Sequence, residues 1–392
     1  MRFVFKFGGS SLSSVEKIQK VATYIKEIKS RKDVELIVVV SAMGKTTNKL
    51  VSLADKISHN PYSTEYSSLI SIGENISSAA LALALEEIDV PSISLSSKDI
   101  QIHAKGKSTQ ALITSIDTHK IEHYLSLNKV VVVTGFQGIN DEGQTLTLGR
   151  GGSDTTATAL GAVLNAKVKI FTDVKGFFAC DPNTYNDVKK LDSINIYSAL
   201  ELSSAGTKVL DNRSLEIANK NKLDLSVLDT TSKEGTTISY TNLENYNIDG
   251  ITHKSNLLFV KYAHKNNDFL QQIIENNNFK TYHLFRTYQN KSTQTHFVSN
   301  ITKQELNSLI IKNKTNLQCY SCDFVVITGS GLIFYPDMLK KVQNILKINH
   351  FNYYFIDLSP TTLKICLKKN QSKKLEPILI EEFNLFSKED KK

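Results

Sequence analysis

The sequence of 392 residues contains no apolar run that approaches the ~18 to 20 residues needed to span a bilayer. Its first residues, MRFVFKFGGS, lack the apolar stretch and the small-residue cleavage site of a signal peptide. Cysteine is scarce, and no second pair and no spaced histidines complete a zinc site around CYSC at 319–322. These absences predict a cytoplasmic protein with reduced thiols, no membrane partner and no structural metal.

Charge is present in modest excess, since 47 Lys and Arg against 39 Asp and Glu give a formal net charge of +8. Such a balance suits anionic small molecules. The lysines are scattered singly, and no arginine-rich stripe is interleaved with aromatics, so the sequence does not favour nucleic acid as a partner. The length predicts two or three domains.

Glycine is concentrated in the first part of the chain, where 15 of the 18 glycines fall at or before Gly235. Strand-like and helical runs alternate there. The predicted strands are 3–7, 35–42, 129–136 and 167–174, and the predicted helices are 13–29, 74–88 and 154–166. Ser13 and Glu16 have the spacing of a capping box at the start of the first helix. This alternation predicts an α/β domain with a largely parallel sheet and helices on both faces.

From about Thr236 the pattern changes to two successive β-α-β-β units. The first consists of a strand at 256–263, a helix at 266–277 and strands at 280–289 and 294–300. The second consists of a strand at 323–331, a helix at 336–346, strands at 352–359 and 362–369, and a last helical stretch near 373–386. We therefore predict one α/β domain at 1–235, followed by small α+β modules at 236–315 and 316–392.

The chain has neither a G-x-x-x-x-G-K-[ST] loop nor a G-x-G-x-x-G that opens a helix after a strand. Instead, KFGGSS places Lys6 at the end of the first predicted strand, followed by Gly8, Gly9 and Ser10. Backbone amides at such a turn form an anion site, and the lysine can reach a nucleotide phosphate. A surface lysine beside a structural turn explains the motif equally well.

A second glycine loop, TLGRGGSDTTATAL, places Arg150, Ser153 and Asp154 at the head of an Ala-rich helix. An arginine fork grips a carboxylate in two places. Asp154 is either the N-cap of the helix or an acid that orients Lys6 or takes part in Mg²⁺ binding.

A third candidate is Glu74, in the first turn of a predicted helix. It is either an acid favoured by the helix dipole or a carboxylate for a substrate ammonium group. A site that contains both Glu74 and Arg150 would suit an amino acid. Ser41, Thr46 and Thr47 in SAMGKTTN follow another strand and can bond a substrate oxygen.

Seven motifs occur in the order and spacing of the aspartokinases: KFGGSSL, VVVSAMGKTTN, IGENIS, VTGFQG, TLGRGGSDTTATAL, FTDVKGFFACDPN and AGTKVLDNRSLEIA. Over residues 2–230 the chain thus resembles this family, which implies the three-layer amino acid kinase fold. The resemblance further implies transfer of the ATP γ-phosphoryl group to the β-carboxylate of L-aspartate, with ATP and Mg²⁺ as cofactors. That reaction opens the route to lysine, threonine, methionine and diaminopimelate.

The resemblance also implies roles for single residues. Those implied to be catalytic are Lys6 and Asp154. Those implied to bind aspartate are Ser41, Thr47, Glu74, Arg150 and Ser153. Those implied to bind ATP are Lys6, Gly8, Gly9, Ser10, Thr172, Asp173, Phe178, Asp181, Asn183 and Lys208. Lys175, Phe178 and Asn183 stand where family members often carry an acidic residue, Tyr and Arg, which leaves the strength of ATP binding open.

The two C-terminal units resemble the paired ACT domains of regulated aspartokinases. KYAHKNND (261–268) replaces the usual Asp-Lys-Pro-Gly loop, whereas ITGSGL (327–332) is closer to type. This resemblance implies lysine or threonine as an effector and a homodimer or higher homo-oligomer. Two alternatives are another phosphotransferase of the amino acid kinase family, such as a glutamate 5-kinase or uridylate kinase, and a catalytically quiet ligand-binding regulator.

Overall fold

The computed structural model describes residues 1–207, 209–240, 246–264, 281–289, 292–313 and 317–387. The chain divides into two units. The first comprises Met1–Phe177, Lys190–Ile196 and Lys208–Tyr240, and the second comprises Phe178–Lys189, Tyr197–Thr207 and Thr241–Lys392. The domain boundaries at 235/236 and 315/316 remain predictions.

The first unit alternates strands and helices along the chain. Its strands are β1 (Arg2–Phe7), β2 (Glu35–Val40), β3 (Ser92–Leu95), β4 (His103–Lys105), β5 (Leu112–Ser115), β6 (Val130–Thr134), β7 (Gln137–Ile139), β8 (Thr145–Thr147), β9 (Lys167–Thr172), β10 (Ser193–Asn195), β11 (Leu225–Asp229) and β12 (Gly235–Ser239). Its helices are α1 (Val15–Lys29), α2 (Thr46–Ile57), α3 (Thr64–Ile70), α4 (Ile72–Glu86), α5 (His119–Ser126), α6 (Gly152–Val163), α7 (Ile196–Ala205, which belongs to the second unit after its first residue) and α8 (Asn212–Asn221).

Eight of these strands form the central sheet, in the order β10-β12-β11-β9-β1-β2-β6-β3. Neighbouring strands are parallel except for the β11–β12 pair. The strands β2 and β6 are almost wholly buried, as continuous Val- and Ile-rich runs predict for a parallel sheet covered on both faces. The predicted largely parallel sheet is confirmed.

Helices cover both faces of this sheet. Phe5 and Phe7 of β1 pack in an apolar cluster with Leu81 of α4 and with residues of α1. Because side chains alternate along a strand, Lys6 points to the opposite face, where it meets Asp154 of α6. The helices α1 and α4 contact each other, as do α6 and α8. The unit therefore has the predicted three layers.

Besides containing elements that were not predicted, such as β3, β10, β11 and β12, the first unit differs from the sequence prediction in two details. The N-cap of α1 is Ser14, which accepts from the Lys17 amide, whereas the Ser13 hydroxyl donates to the Ser10 carbonyl. A small sheet in the order β5-β4-β7-β8 was not predicted. Its strands have only three or four residues, too few for a recognisable alternation.

The second unit is built on an antiparallel sheet in the order β14-β15-β13-β16-β18-β17. Its strands are β13 (Asn247–His264), β14 (Thr281–Gln289), β15 (Ser292–Ser299), β16 (Leu317–Ser330), β17 (Tyr353–Leu358) and β18 (Thr362–Lys368), and its further helices are α9 (Lys303–Asn313), α10 (Met338–Ile348) and α11 (Ser372–Glu382). The adjacent strands β13 and β16 join the two predicted β-α-β-β units in one sheet. The predicted helix at 266–277 lies outside the described residues. The α+β character expected for ACT-like modules is confirmed.

The helical segment Thr64–Glu86, formed by α3 and α4, is long and apolar enough to cross a membrane by length and composition alone. The sequence analysis did not expect such a segment. Half of its most apolar window is buried inside the protein. Since the core helix of a soluble protein passes the same test, one such helix is weak evidence for a membrane span.

Candidate active site

The candidate site lies where the parallel strands β1, β2, β6 and β9 end at the same edge of the sheet. Lys6 lies near the end of β1 and pairs with Asp154 in the first turn of α6. Ala42 follows β2 and contacts Glu74 in the first turn of α4. Ligands of open α/β sheets bind at this edge, next to helix N-termini.

Lys6 and Asp154 form an ion pair with 2.6 Å between Lys6 Nζ and Asp154 Oδ1. Their side chains are only 10% and 15% exposed, so each charge relies on the other. The N-cap of α6 is Gly151, and Asp154 is the third residue of the helix. The N-cap explanation for Asp154 is therefore wrong, and the alternative that it orients Lys6 agrees with the geometry.

The two glycines after β1 differ in whether a side chain would fit in their place. A Cβ atom on Gly9 would lie 2.6 Å from the Ala42 carbonyl oxygen, so packing itself requires glycine there. A Cβ atom on Gly8 would lie 3.5 Å from Lys6 Nζ and 3.7 Å from the Phe171 carbonyl oxygen, both ordinary contacts. Packing does not require glycine at position 8, and the space that a side chain would fill adjoins the Lys6 ammonium. The Lys6 ammonium beside Gly8 suits an anionic ligand.

Glu74 is a buried carboxyl group with one oxygen left over. Glu74 is only 3% exposed, and its Oε1 accepts a 3.0 Å hydrogen bond from the Ala42 amide. Among the described residues, Oε2 has no hydrogen-bond partner. Burial raises the pKa of Glu74 from 4.5 to about 7, although the bond from Ala42 opposes this. An orphaned buried oxygen of this kind fits a cationic ligand group.

The three predicted hydroxyl residues lie at the same edge. The Ser41 amide donates a 3.2 Å bond to the Phe7 carbonyl, which places Ser41 beside the end of β1. Thr47 is half-buried in the first turn of α2. Ser153 is buried in the first turn of α6, and its Oγ would lie 2.6 Å from a Cβ atom on Gly135, directly after β6. Ser41 thus follows the end of β2, while Thr47 and Ser153 lie where α2 and α6 begin.

Arg150 is exposed in the turn between β8 and α6. This turn is held by Arg213, whose Nη1 donates to the Leu148 carbonyl and whose Nη2 donates to the Ala111 carbonyl at 2.9 Å. Burial lowers the pKa of Arg213 below its usual value. Arg213 was not among the predicted site residues, although it lies in the motif AGTKVLDNRSLEIA. By itself it is an arginine at a helix start, which is common on solvated surfaces.

The turn also depends on Gly151, which has φ +71° and lies against Asp211. We expect Gly151→Ala to lower the free energy of unfolding by about 2–4 kcal/mol, since an alanine there adds left-handed strain and a clash with the Asp211 Cβ atom. Gly143→Ala is the matched control, because Gly143 has φ +74° but open space around its Cβ position. It should cost only about 1–2 kcal/mol. Equal urea midpoints for the two variants would contradict the packing role of Gly151.

Known proteins resemble this chain in sequence and in fold. The model of the amino acid kinase family matches residues 1–229. An aspartokinase from Rickettsia felis is 35% identical over 97% of this chain and 98% of its own length. This chain belongs to the aspartokinases.

Other aspartokinases match as well. Aspartate kinase Ask_LysC from Stutzerimonas stutzeri is 42% identical over 57% of this chain and 55% of its own length. The crystal structure of E. coli aspartokinase III in complex with aspartate and ADP has a TM-score of 0.79 at 21% identity, covering 98% of this chain and 100% of that one. At that identity the likeness concerns the fold, and it confirms the expected fold class.

The residues predicted for the nucleotide side of this aspartokinase do not all belong to one unit. Phe178, Asp181 and Asn183 lie in the second unit. The Asp181 carboxylate accepts bonds of 3.0 Å from the Asn183 amide nitrogen and the Thr184 hydroxyl, and a 3.1 Å bond from the Asn183 side chain. Asn183, where many aspartokinases have arginine, thus supports a turn around Asp181. Lys208 lies outside the described residues.

Thr172 and Asp173 lie at the end of β9 in the first unit, with 3.2 Å between Thr172 Oγ1 and Asp173 Oδ1. Nearby along the chain, Lys175 lies 3.9 Å from a carboxylate oxygen of Glu234. Both of these side chains are more than half exposed, so the pair contributes little to stability. The lysine that replaces the common acidic residue of aspartokinases therefore sits on the surface.

Proposed function

We propose that this chain catalyses the transfer of the γ-phosphoryl group of ATP to the β-carboxylate of L-aspartate, giving ADP and 4-phospho-L-aspartate. Its membership of the aspartokinases supports this reaction. The observation that carries the proposal is the approach of the Lys6–Asp154 pair and the half-partnered Glu74 to one edge of the sheet. One group suits a phosphate and the other an ammonium, as an amino acid kinase requires.

The main obstacle in this reaction is repulsion between two anions. A carboxylate is already ionised near pH 7, so the nucleophile needs no general base. The protein must align the reactants and neutralise the charge that develops on the phosphoryl oxygens. Lys6 supplies a positive charge beside the turn that begins at Gly8, and Asp154 holds the ammonium in place. A preorganised charge of this kind acts without reorganisation during the reaction.

Mg²⁺ is proposed to enter bound to the phosphates of ATP, whose charge it helps to neutralise. Within the described residues, no group of three or more His, Cys, Asp or Glu side chains could hold a metal ion. Mg²⁺ commonly binds through one or two carboxylates and substrate phosphates rather than in an all-protein cage.

Aspartate is proposed to bind through both of its charge types. The free Oε2 of Glu74 would accept from the α-ammonium, and Arg150 would bind a carboxylate. Ser41, Thr47 and Ser153 would donate to carboxylate oxygens. On the nucleotide side, the proposed contacts remain those implied by the aspartokinase resemblance: Gly8, Gly9, Ser10, Thr172, Asp173, Phe178, Asp181, Asn183 and Lys208.

For Arg150 we expect a binding effect. Arg150→Ala should raise the KM for aspartate by about 10- to 100-fold, the loss associated with a charged hydrogen-bonding partner, with a smaller change in kcat. Steady-state kinetics at saturating ATP measures this effect. Arg31→Ala, which removes an exposed arginine from the chain before β2, is the control. An unchanged aspartate KM in Arg150→Ala would remove this residue from the substrate site.

A coupled assay of ADP release tests the reaction, with aspartate, glutamate and UMP compared as acceptors. Of the three acceptors, we expect turnover only with aspartate. Turnover with glutamate or UMP would favour another kinase of the family, and ADP binding without turnover on any acceptor would favour a catalytically quiet regulator.

Regulation and assembly are proposed on the same family basis. E. coli aspartokinase III has been solved in complex with lysine and aspartate, which supports lysine as an effector here, with threonine as the alternative. We further propose ACT-like modules at 236–315 and 316–392, a homodimer or higher homo-oligomer, and a cytoplasmic location. Adding lysine or threonine to the same assay tests the effector.

A further inference from the structure

Thr230 follows β11 and joins two segments of the candidate site. Its amide and its hydroxyl both donate to the Thr172 carbonyl oxygen, each at 2.9 Å. The hydroxyl oxygen also lies 2.6 Å from Ser11 Oγ. Because a hydroxyl has one hydrogen, and that of Thr230 goes to Thr172, Ser11 is the donor in this second bond. The result is a directed chain from Ser11 through Thr230 to Thr172.

These hydrogen bonds connect the two strand ends that flank the proposed phosphate position. Ser11 is only 5% exposed and lies in the single helical turn Gly9–Leu12, directly after Gly8, whose Cβ position lies 3.5 Å from Lys6 Nζ. Thr172 ends β9, the neighbour of β1 in the sheet. The Gly8 amide bonds to the Phe171 carbonyl at 3.2 Å, but that bond fixes only the start of the turn. Thr230 fixes its far side.

We propose that Thr230 is a positioning residue for ATP, which holds the turn after β1 at the end of β9 through its hydroxyl group. The inference rests on the proposed function, because it assigns this turn to the nucleotide phosphates. Thr230 makes no contact with substrate in this account. It lowers the entropy that the turn loses when ATP binds, since a loop that is already ordered has less freedom to lose.

The test compares Thr230→Val with Thr230→Ser. Valine keeps the shape and the backbone bond to Thr172 but removes the hydroxyl, whereas serine restores it. Thr230→Val should raise the KM for ATP and the Kd for ADP by about tenfold, the effect of about one hydrogen bond, and leave the aspartate KM unchanged. Thr230→Ser should return both values towards those of the wild type. The Kd is measured by titration calorimetry with ADP on the full chain.

Two further variants make the test specific. Ser11→Ala removes the donor of the hydrogen bond to the Thr230 hydroxyl, so its effect should not add to that of Thr230→Val. Thr237→Val is the matched control, because Thr237 Oγ1 lies 3.3 Å from Ser226 Oγ on the β11–β12 pair without a bond to the turn after β1. It should leave ATP and ADP binding unchanged.

Wild-type nucleotide affinity in Thr230→Val would overturn the proposal, and so would an equal rise in the ATP and aspartate KM values, which would indicate general loosening of the fold. The ADP titration does not depend on the acceptor. If the wild type binds ADP but does not phosphorylate aspartate, the proposed function fails while the role of Thr230 is still decided by calorimetry.

Discussion

Lys6→Ala is expected to lower kcat by at least about 100-fold, the scale of losing one preorganised group that stabilises a transition state. The reason is the position of the ammonium, which lies beside Gly8 and is held by Asp154 at 2.6 Å. The reaction needs no acid or base catalyst, so the loss should appear in kcat over the whole pH range in which the protein is folded. Coupled measurement of ADP release under saturating aspartate and ATP gives the value.

Stability must be separated from chemistry in this experiment. Removing Lys6 leaves Asp154 as a nearly buried unpaired charge, which costs about 3–5 kcal/mol in comparable pairs. The double variant Lys6→Met/Asp154→Leu removes both charges. It should unfold at a higher urea concentration than Lys6→Ala while remaining inactive. Lys20→Ala, on the exposed side of α1, is the control. A folded Lys6→Ala protein with near-normal turnover would show that Lys6 is only a structural partner of Asp154.

Glu74 is expected to impose a pH dependence on aspartate binding. Burial raises its pKa to about 7 in the ligand-free protein, and only the ionised form offers a negative charge to pair with a substrate ammonium. Consequently kcat/KM for aspartate should fall below about pH 7, approaching tenfold per pH unit. Aspartate binding near pH 6.5 should release a proton, which calorimetry in buffers of different ionisation enthalpy detects. Glu74→Gln should raise the aspartate KM by about 10- to 100-fold and remove this pH dependence.

The same carboxyl group affects stability in the opposite direction. Because the pKa of Glu74 is higher in the folded than in the unfolded chain, folding takes up a proton between these two values. Stability from this group is present below about pH 4.5 and is lost as the pH rises to about 7, a change of about 3 kcal/mol. Glu74→Gln should therefore raise the unfolding midpoint more at pH 8 than at pH 5, although it impairs aspartate binding.

Glu86→Gln is the matched control for both measurements, since Glu86 is exposed at the last residue of the same helix. It should change neither the aspartate KM nor the pH dependence of stability. If Glu74→Gln keeps the wild-type pH profile of kcat/KM, another group is responsible for that profile, and the proposed contact with the substrate ammonium is wrong.

Particular elements show how much of the fold can be predicted from the sequence. The buried strand ELIVVV and the amphipathic α1 were predictable, because strand and helix periods leave distinct marks over six or more residues. The N-cap of α1 was misplaced by one residue, since Ser13 and Ser14 are chemically equivalent choices and only the chain path selects Ser14. The strands β4, β5, β7 and β8 were missed because runs of three or four residues are too short to show a recognisable alternation.

The candidate site divides in the same way. Lys6, Glu74 and Asp154 could be named because glycine loops and helix starts are local features. The residues Arg213 and Thr230 could not, since they act on segments that are 65 and 58 residues away along the chain. Arg213 lies in the motif AGTKVLDNRSLEIA, but the motif does not say which backbone groups its side chain reaches, and Thr230 resembles an ordinary turn threonine.

By itself, the sequence determined the alternation of strands and helices, the division into a glycine-rich α/β part and an α+β part, and the chemical groups available at each strand end. These depend on interactions between near neighbours along the chain. Tertiary structure alone decided that Asp154 pairs with Lys6 instead of capping its helix, and that Glu74 is buried deeply enough to hold its proton near pH 7. The physical reason is that charge pairing and desolvation depend on what surrounds a group in space, which residues far apart in sequence supply.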